Sequence, residues 1–393
     1  MSSYSYLVLY FYIFVLQICK NTLLLSSLKL VQFRNYESEF FSFHPAINAF
    51  VGLNGMGKTN VLDAIYYLCL GKSYFSSGDR MVIMQDKDFF RIEGVFNADD
   101  DKDIVVIKSQ SGNRKDIEIS GKKLERIGDH VGRFLTVMVA PADIQLMMEG
   151  SEERRHFLNN TIVQTDRSYL ENLVLYTNLL KRRNILLKSF ADQKTFDPLL
   201  LESITNGMYF PAQYIFEVRR SQVFQMQAIF EETYADISGK REKCSIEYQS
   251  QLYDHELEYL MQKSIEKDRI LTRTTQGIHK DDLIFTMNGE PLKNFASQGQ
   301  LKSFVLALKL TQYKLIEANS GKKPLLLLDD IFDKLDQTRV RYLLNMLLHG
   351  SFGQVFITDT NEDRIKRILD EINTEYSIFT VSNGKISTGN DIL

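Results

Sequence analysis

Cysteine is scarce in this chain of 393 residues, and the three present form no pattern. Cys19, Cys69 and Cys244 are odd in number and widely spaced. They lack the short spacings of a zinc site and the pairing of a disulfide framework, which favours a reducing compartment. A charge of one sign is missing too: 47 basic residues against 50 acidic ones leave a net charge of −3. No global positive field pulls the chain onto nucleic acid, so any such binding needs a local patch. The chain shows no internal repeat and no heptad pattern long enough for an extended coiled coil. What is abundant is ordinary: 44% hydrophobic and 25% charged residues, enough to bury a core, over a length that fits two or three domains.

The apolar run Tyr6 to Cys19, broken by Gln17, has fourteen residues and is short for a membrane span. No Lys or Arg precedes it and no small-residue cleavage site follows, so it makes a poor signal peptide. Residues 1–22 are read as a doubtful extension: a start placed too far upstream, an interfacial anchor, or an extra core strand. The rest of the chain points to the cytoplasm.

The alternation of Leu28 to Phe33 predicts a strand with one buried face. Ile47 to Val51 reads as a short buried strand, and Asn60 to Leu70 has helical spacing. Further strands are expected at Phe90 to Phe96, Ile104 to Lys108 and Ile117 to Ile119, with turns at Gly112-Asn113 and Ser120-Gly121. From Ser151 to Arg273 glycine nearly vanishes and helical periodicity dominates, over Tyr169 to Phe190 and Gln213 to Tyr234. At about 120 residues this is an inserted helical arm, far longer than a loop. A helix over Gln300 to Asn319, a strand over Pro324 to Leu328 and a strand over Gln354 to Thr358 follow.

Gly52, Leu53, Asn54, Gly55, Met56, Gly57, Lys58 and Thr59 spell G-x-x-x-x-G-K-T between an apolar strand and a periodic helix. In that context the pattern is a P-loop for ATP. The glycines let backbone N–H groups turn toward phosphate oxygens, and the helix adds its positive end. Lys58 is expected to reach the β- and γ-phosphates and Thr59 to hold Mg²⁺. Leu325 to Asp330 reads as the second half of the site: a buried strand with Asp329 on the metal and Asp330 beside the attacking water. The two motifs belong to one sheet, so the chain must leave this domain and return. The expected fold is α/β, a discontinuous P-loop ATPase head. It is assigned to residues 23–150 and 274–393, with the helical arm at 151–273.

Ser297-Gln298-Gly299-Gln300 opens the helix ahead of the Asp329 strand. Locally Ser297 is a good N-cap. In this position the four residues resemble the signature of ABC-type ATPases, and Asn54 and Asn60 resemble the SMC branch. Other stretches are similar to the RecF family of bacterial recombinational-repair ATPases: Leu28 to Tyr36, Ala140 to Asp143, Glu153 to Arg155, Lys181 to Asn184, Gly277 to Asp282 and Lys334 to Asp336. The resemblance runs in one register over residues 24 to 390, and its wording around Ser297 and Asp333 resembles the Bacteroidetes form.

The resemblance implies a DNA-binding protein that dimerises on ATP, over single-stranded, gapped or junction DNA. Two protomers would trap two ATPs, each between one P-loop and the Ser297 signature of the other, with Asp336 in the D-loop. Slow, weakly DNA-stimulated hydrolysis would time release. The family works with RecO and RecR in loading RecA and in the SOS response. Asp330 stands where many ABC ATPases carry Glu, and no His follows the last strand, which leaves Thr358 as the switch candidate. Gln145 is a provisional Q-loop glutamine. Arg154, Arg155, Lys181, Arg182 and Arg183 are the candidate DNA contacts, although such a charge run also suits a solvated helix face. His279 and Asp281-Asp282 read as a structural turn. A long-armed chromosome ATPase would need a longer insertion, and a transporter subunit would need the switch His.

Overall fold

The structure, a computed structural model, describes residues 23–98, 101–240, 242–332, 337–348, 352–372 and 375–388. The doubtful extension and Asp336 lie outside these residues. The chain forms two compact units, one running to Asp143 and resuming at Gln312, the other Ile144–Thr311.

The first unit opens with β1 (Leu23–Phe33), β2 (Tyr36–Ser42), β3 (Ile47–Val51) and α1 (Lys58–Leu70). It continues with β4 (Phe89–Ala98), β5 (Asp101–Gln110), β6 (Asp116–Ile119), β7 (Lys122–Lys123) and β8 (Thr136–Val139). The second unit holds α2 (Gln145–Met148), α3 (Ser151–Ile162), α4 (Arg167–Gln193), α5 (Pro198–Ser238), β9 (Cys244–Gln249) and α6 (Leu257–Leu271). It ends with β10 (Asp282–Met287), β11 (Glu290–Pro291), α7 (Leu292–Phe295) and α8 (Gln298–Ser320), whose last turns lie past Thr311. The first unit then resumes with β12 (Leu325–Leu328), α9 (Gln337–Leu348), β13 (Val355–Asp359), α10 (Glu362–Ile372), β14 (Tyr376–Ser382) and β15 (Lys385–Thr388).

In the first unit one sheet is antiparallel, in the order β2-β1-β4-β5-β6-β7. The other has the order β15-β14-β3-β13-β12-β8, parallel throughout except for the β14–β15 hairpin. Its strands β3, β8, β12 and β13 are buried end to end, the expected result of continuous apolar runs in a parallel sheet. Helix α1 is buried on nearly all sides, and both sheets share one core with it, including Phe33, Phe41, Phe50, Ile65, Leu68 and Phe356. Gln354 ties the sheets together. Its side chain accepts from Leu25 N at 2.7 Å and donates to Leu25 O at 2.9 Å, at the point where β1 slips register.

In the second unit α4 and α5 form an antiparallel hairpin. Asp197 caps α5 by accepting from Leu200 N, and Pro198 sits in the first turn, where its missing N–H costs nothing. The periodicity of Gln213 to Tyr234 marked only the second half of α5. The helix also runs through Gly207 and Pro211. At Gly207 an added Cβ would lie 3.3 Å from Leu179 Cδ1, so glycine there permits close approach of α4. Residues 274–311 group with the arm rather than with the first unit. The reason is β9, which pairs with β10 along its whole length inside a three-stranded sheet, β11-β10-β9.

Candidate nucleotide site

The P-loop links β3 to α1 at the C-terminal edge of the parallel sheet. Gly52 has φ +146 and an added Cβ there would lie 2.4 Å from Val381 O; Gly57 has φ +115 and a Cβ would meet Asn35 Nδ2 at 2.5 Å. Only glycine fits either position. The loop is held from the β1–β2 turn. Asn35 Nδ2 donates to Met56 O at 2.9 Å, Tyr36 Oη donates to Gly57 O at 3.0 Å, and Asn60 Nδ2 donates to Asn35 Oδ1 at 2.7 Å. Arg34 donates to Asp63 Oδ2 through Nε at 2.9 Å and Nη2 at 2.6 Å, and Asp63 also accepts from Tyr74 N, pinning the segment after α1. The stretch Arg34-Asn35-Tyr36 therefore buttresses the loop. In the sequence only family likeness marked this stretch, which lies a whole strand ahead of β3.

Lys58 Nζ lies inside the loop and donates to the carbonyls of Gly52 at 2.7 Å and Leu53 at 2.9 Å. Burial pushes its pKa down, opposed by the nearby Asp330, Asp329 and Asp359. A phosphate group would offset that desolvation. Thr59 Oγ1 donates to Asp329 Oδ1 at 2.8 Å, so the P-loop and the end of β12 meet across the sheet. Strand β13 lies between β3 and β12 and supplies Thr358. Its Oγ1 donates to Asp329 Oδ1 at 2.8 Å and accepts from Asp330 N at 2.8 Å. Burial raises the Asp329 pKa, and the hydroxyls of Thr358 and Thr59 oppose the rise.

Asp330 has φ +48, a left-handed conformation that Asp tolerates better than most residues, and its buried Oδ1 has no hydrogen-bond partner among the described residues. The cleft of about 200 Å³ is lined by Asn54, Lys58, Thr59, Pro141, Asp330 and their neighbours. The side-chain donors that Thr59 and Asp329 bring to it are both oxygen, a hydroxyl and a carboxylate, with the Asp330 carboxylate alongside. That set suits a hard cation that keeps some of its waters and binds phosphate as well.

The signature lies in the second unit. Ser297 Oγ accepts from Gln300 N at 3.3 Å while Gln300 Oε1 accepts from Ser297 N at 2.8 Å, a capping box at the start of α8. Ser297 and Gln298 are exposed, and Gly299 and Gln300 are partly buried. Gln145 is exposed at the start of α2.

The arm arginines need correction. Arg183 is 0% exposed, and its guanidinium is spent on Thr205, Asp268 and Thr274 at 2.7–3.0 Å. Arg154 makes a two-pronged pair with Asp282 at 2.7 and 2.9 Å. Arg155 donates to Asp281 O and Ser151 Oγ. Of the five candidates only Lys181 and Arg182 are exposed. The rotation of about 100° per residue carries 183 onto the buried face, away from 181 and 182. His279 Nδ1 meets Tyr176 Oη at 2.8 Å and Nε2 meets Thr274 O at 3.2 Å, inside a buried turn, as its structural reading expects.

The sheet order, the P-loop with its paired Asp residues and the separate helical unit define an ABC-type ATPase head. The family model described as RecF/RecN/SMC N terminal domain matches residues 24–387. The DNA replication and repair protein RecF of Flavobacterium johnsoniae is 41% identical over 357 residues, 91% of this chain and 99% of its own. That of Parabacteroides distasonis is 38% identical over 365 residues, 93% and 99% of the two chains. The structure of the recombination mediator protein RecF bound to ATP in the RecFOR pathway superposes with TM-score 0.85 at 29% identity, over 94% of this chain and 98% of that one. A Pyrococcus furiosus Smc head domain, at TM-score 0.54 and 17% identity, shares the fold alone. The chain belongs to the RecF family, with relatives among the Bacteroidetes.

Proposed function

We propose that this chain is an ATP-gated DNA-binding protein of recombinational repair and replication restart. The observation that carries the reading is the Thr59–Asp329–Thr358–Asp330 chain of hydrogen bonds, which gathers P-loop and Walker B groups at one cleft. The ATP-bound RecF structure and the names of the relatives supply its class.

Phosphoryl transfer needs charge neutralisation and alignment more than covalent chemistry. Lys58 would exchange its two loop carbonyls for β- and γ-phosphate oxygens. Thr59 Oγ1 and Asp329 Oδ1 would hold Mg²⁺, which when bound neutralises phosphate charge. Asp330, with its free Oδ1 held in place by the Thr358 contact to its backbone, would orient the attacking water and take its proton. The exposed Ser297 and the N-terminus of α8 from a second copy would complete the γ-phosphate shell, with Asp336 in the adjoining D-loop. ATP therefore closes a homodimer on single-stranded or gapped DNA in the cytoplasm, and slow hydrolysis releases it. Lys181 and Arg182 are the remaining arm candidates for phosphate contact. Partnership with RecO and RecR in loading RecA, and a part in the SOS response, follow from the family.

Lys58→Ala tests the site directly. It should weaken ATP binding at least 100-fold in equilibrium titration and abolish ATP-driven dimerisation. A variant that still dimerises with ATP would contradict the sandwich.

A further inference from the structure

Gln300 uses both ends of its amide. Oε1 accepts from Ser297 N at 2.8 Å, and Nε2 donates to Glu242 Oε1 at 3.0 Å. A flipped amide would set NH₂ against an N–H and a carbonyl against a carboxylate, so the two contacts fix one orientation. Glu242 lies just past α5 and just before β9. Its other oxygen accepts from Tyr234 Oη at 3.4 Å. Tyr234 is in the last turns of α5 and buried, which pushes its hydroxyl pKa up and keeps it a donor. One turn beyond Gln300, Phe304 packs at 4.7 Å on Phe230, at 6.0 Å on Tyr234 and at 5.2 Å on Phe285. The first turns of α8 are thus fastened to the foot of α5 by an aromatic cluster and by one carboxylate.

We propose that Glu242 is a positioning residue for the signature: it holds Gln300, and through Gln300 the Ser297 cap, in register with the arm helix. The role at the γ-phosphate rests on the composite-site reading above; the hold itself does not. No ligand is needed for Glu242 to order the turn, because both contacts lie within the second unit. The carboxylate acts as a fixed acceptor, so Glu242→Gln keeps an oxygen in reach while Glu242→Ala leaves the Gln300 NH₂ without it.

Two measurements on the full chain test this. The first is hydrogen exchange of the Ser297 and Gln300 amides without nucleotide. Exchange should speed up about tenfold in Glu242→Ala, the scale of one lost hydrogen bond, and stay near wild type in Glu242→Gln. The second is ATP-driven dimerisation, which should weaken about tenfold in Glu242→Ala with ATP affinity of the monomer unchanged. Wild-type exchange in Glu242→Ala would overturn the hold. So would a Gln variant as loose as the Ala variant. Faster exchange with undiminished dimerisation would overturn the positioning role. If the wild-type chain itself fails to dimerise, the composite site falls while the exchange result still decides the hold.

Discussion

Lys58 in the first unit and Arg219 in the second are both buried cations, and they are held in opposite ways. Arg219 donates to Tyr169 Oη, Ile278 O, Asp281 Oδ2 and Asn159 Oδ1, all at 2.8–3.0 Å. Arg183 is spent in the same manner. Lys58 rests on two carbonyls of its own loop, desolvated, with carboxylates nearby but no ion pair among the described residues. Beside it Asp330 combines a left-handed backbone with an unpartnered oxygen. A buried guanidinium whose donors are taken up by protein groups marks a joint, even though Asp281 Oδ1 beside Arg219 is itself unpartnered among the described residues. A buried cation left short of partners, beside a carboxylate on a left-handed backbone, marks a place for a ligand. The comparison separates the arm arginines from the nucleotide site without reference to any relative.

The largest expected effect tests the joint. Arg219→Ala strands Asp281 in the interior and should cost about 3–5 kcal/mol in denaturant unfolding of the second unit. Lys58→Ala should cost almost nothing there while removing ATP binding. Similar losses from both would erase the distinction. Next comes Asp330→Asn, which should retain ATP and lengthen the life of the dimer, with turnover down at least 100-fold in a phosphate-release assay. Loss of nucleotide instead would make Asp330 a metal ligand.

Acid sharpens the comparison further, because each unit holds a histidine whose pKa its surroundings depress. Burial lowers the pKa of His130 from the ordinary 6.5 to about 4, and that of His279 likewise to about 4. Between those values the unfolded chain binds more protons than the folded one. The stability is therefore complete above pH 6.5 and is lost as pH falls toward 4, by up to about 3 kcal/mol per histidine. Denaturant midpoints from pH 7 to 4.5 should fall accordingly, with His130→Gln and His279→Gln each flattening its own share; a flat wild-type profile would contradict this. The smallest effect is on DNA. Lys181→Ala and Arg182→Ala should each lower the salt dependence of binding by about one ion without loss of stability, whereas Arg183→Ala should destabilise the arm. Unchanged salt dependence in both surface variants would remove the arm from the DNA surface.

Much of the nucleotide site was legible because its signals are local. Gly52 to Thr59 carries its own backbone logic, and Leu325 to Asp330 announces a buried strand with acid at its end. Even the return of the chain to one sheet followed from pairing those two motifs. The buttress Arg34-Asn35-Tyr36 was hidden because its partners, Met56, Gly57 and Asp63, are made neighbours by the fold and by no spacing rule. Arg183 misled for the opposite reason: three adjacent basic residues look like one surface, yet a helix turns each by about 100° from the last. The placement of residues 274–311 with the arm depended on β9, six residues inside a helical stretch whose partner β10 lies a full helix away.

The central claim is that ATP, and no other state, completes a site shared by two copies. Sedimentation of the full chain without nucleotide, with ADP and with ATP plus Mg²⁺ tests it most directly, with Ser297→Arg alongside. The account predicts a monomer in the first two conditions, a dimer in the third, and a monomer that still binds ATP for Ser297→Arg. A wild-type dimer that forms equally in all three conditions, or one that Ser297→Arg leaves intact, would contradict it.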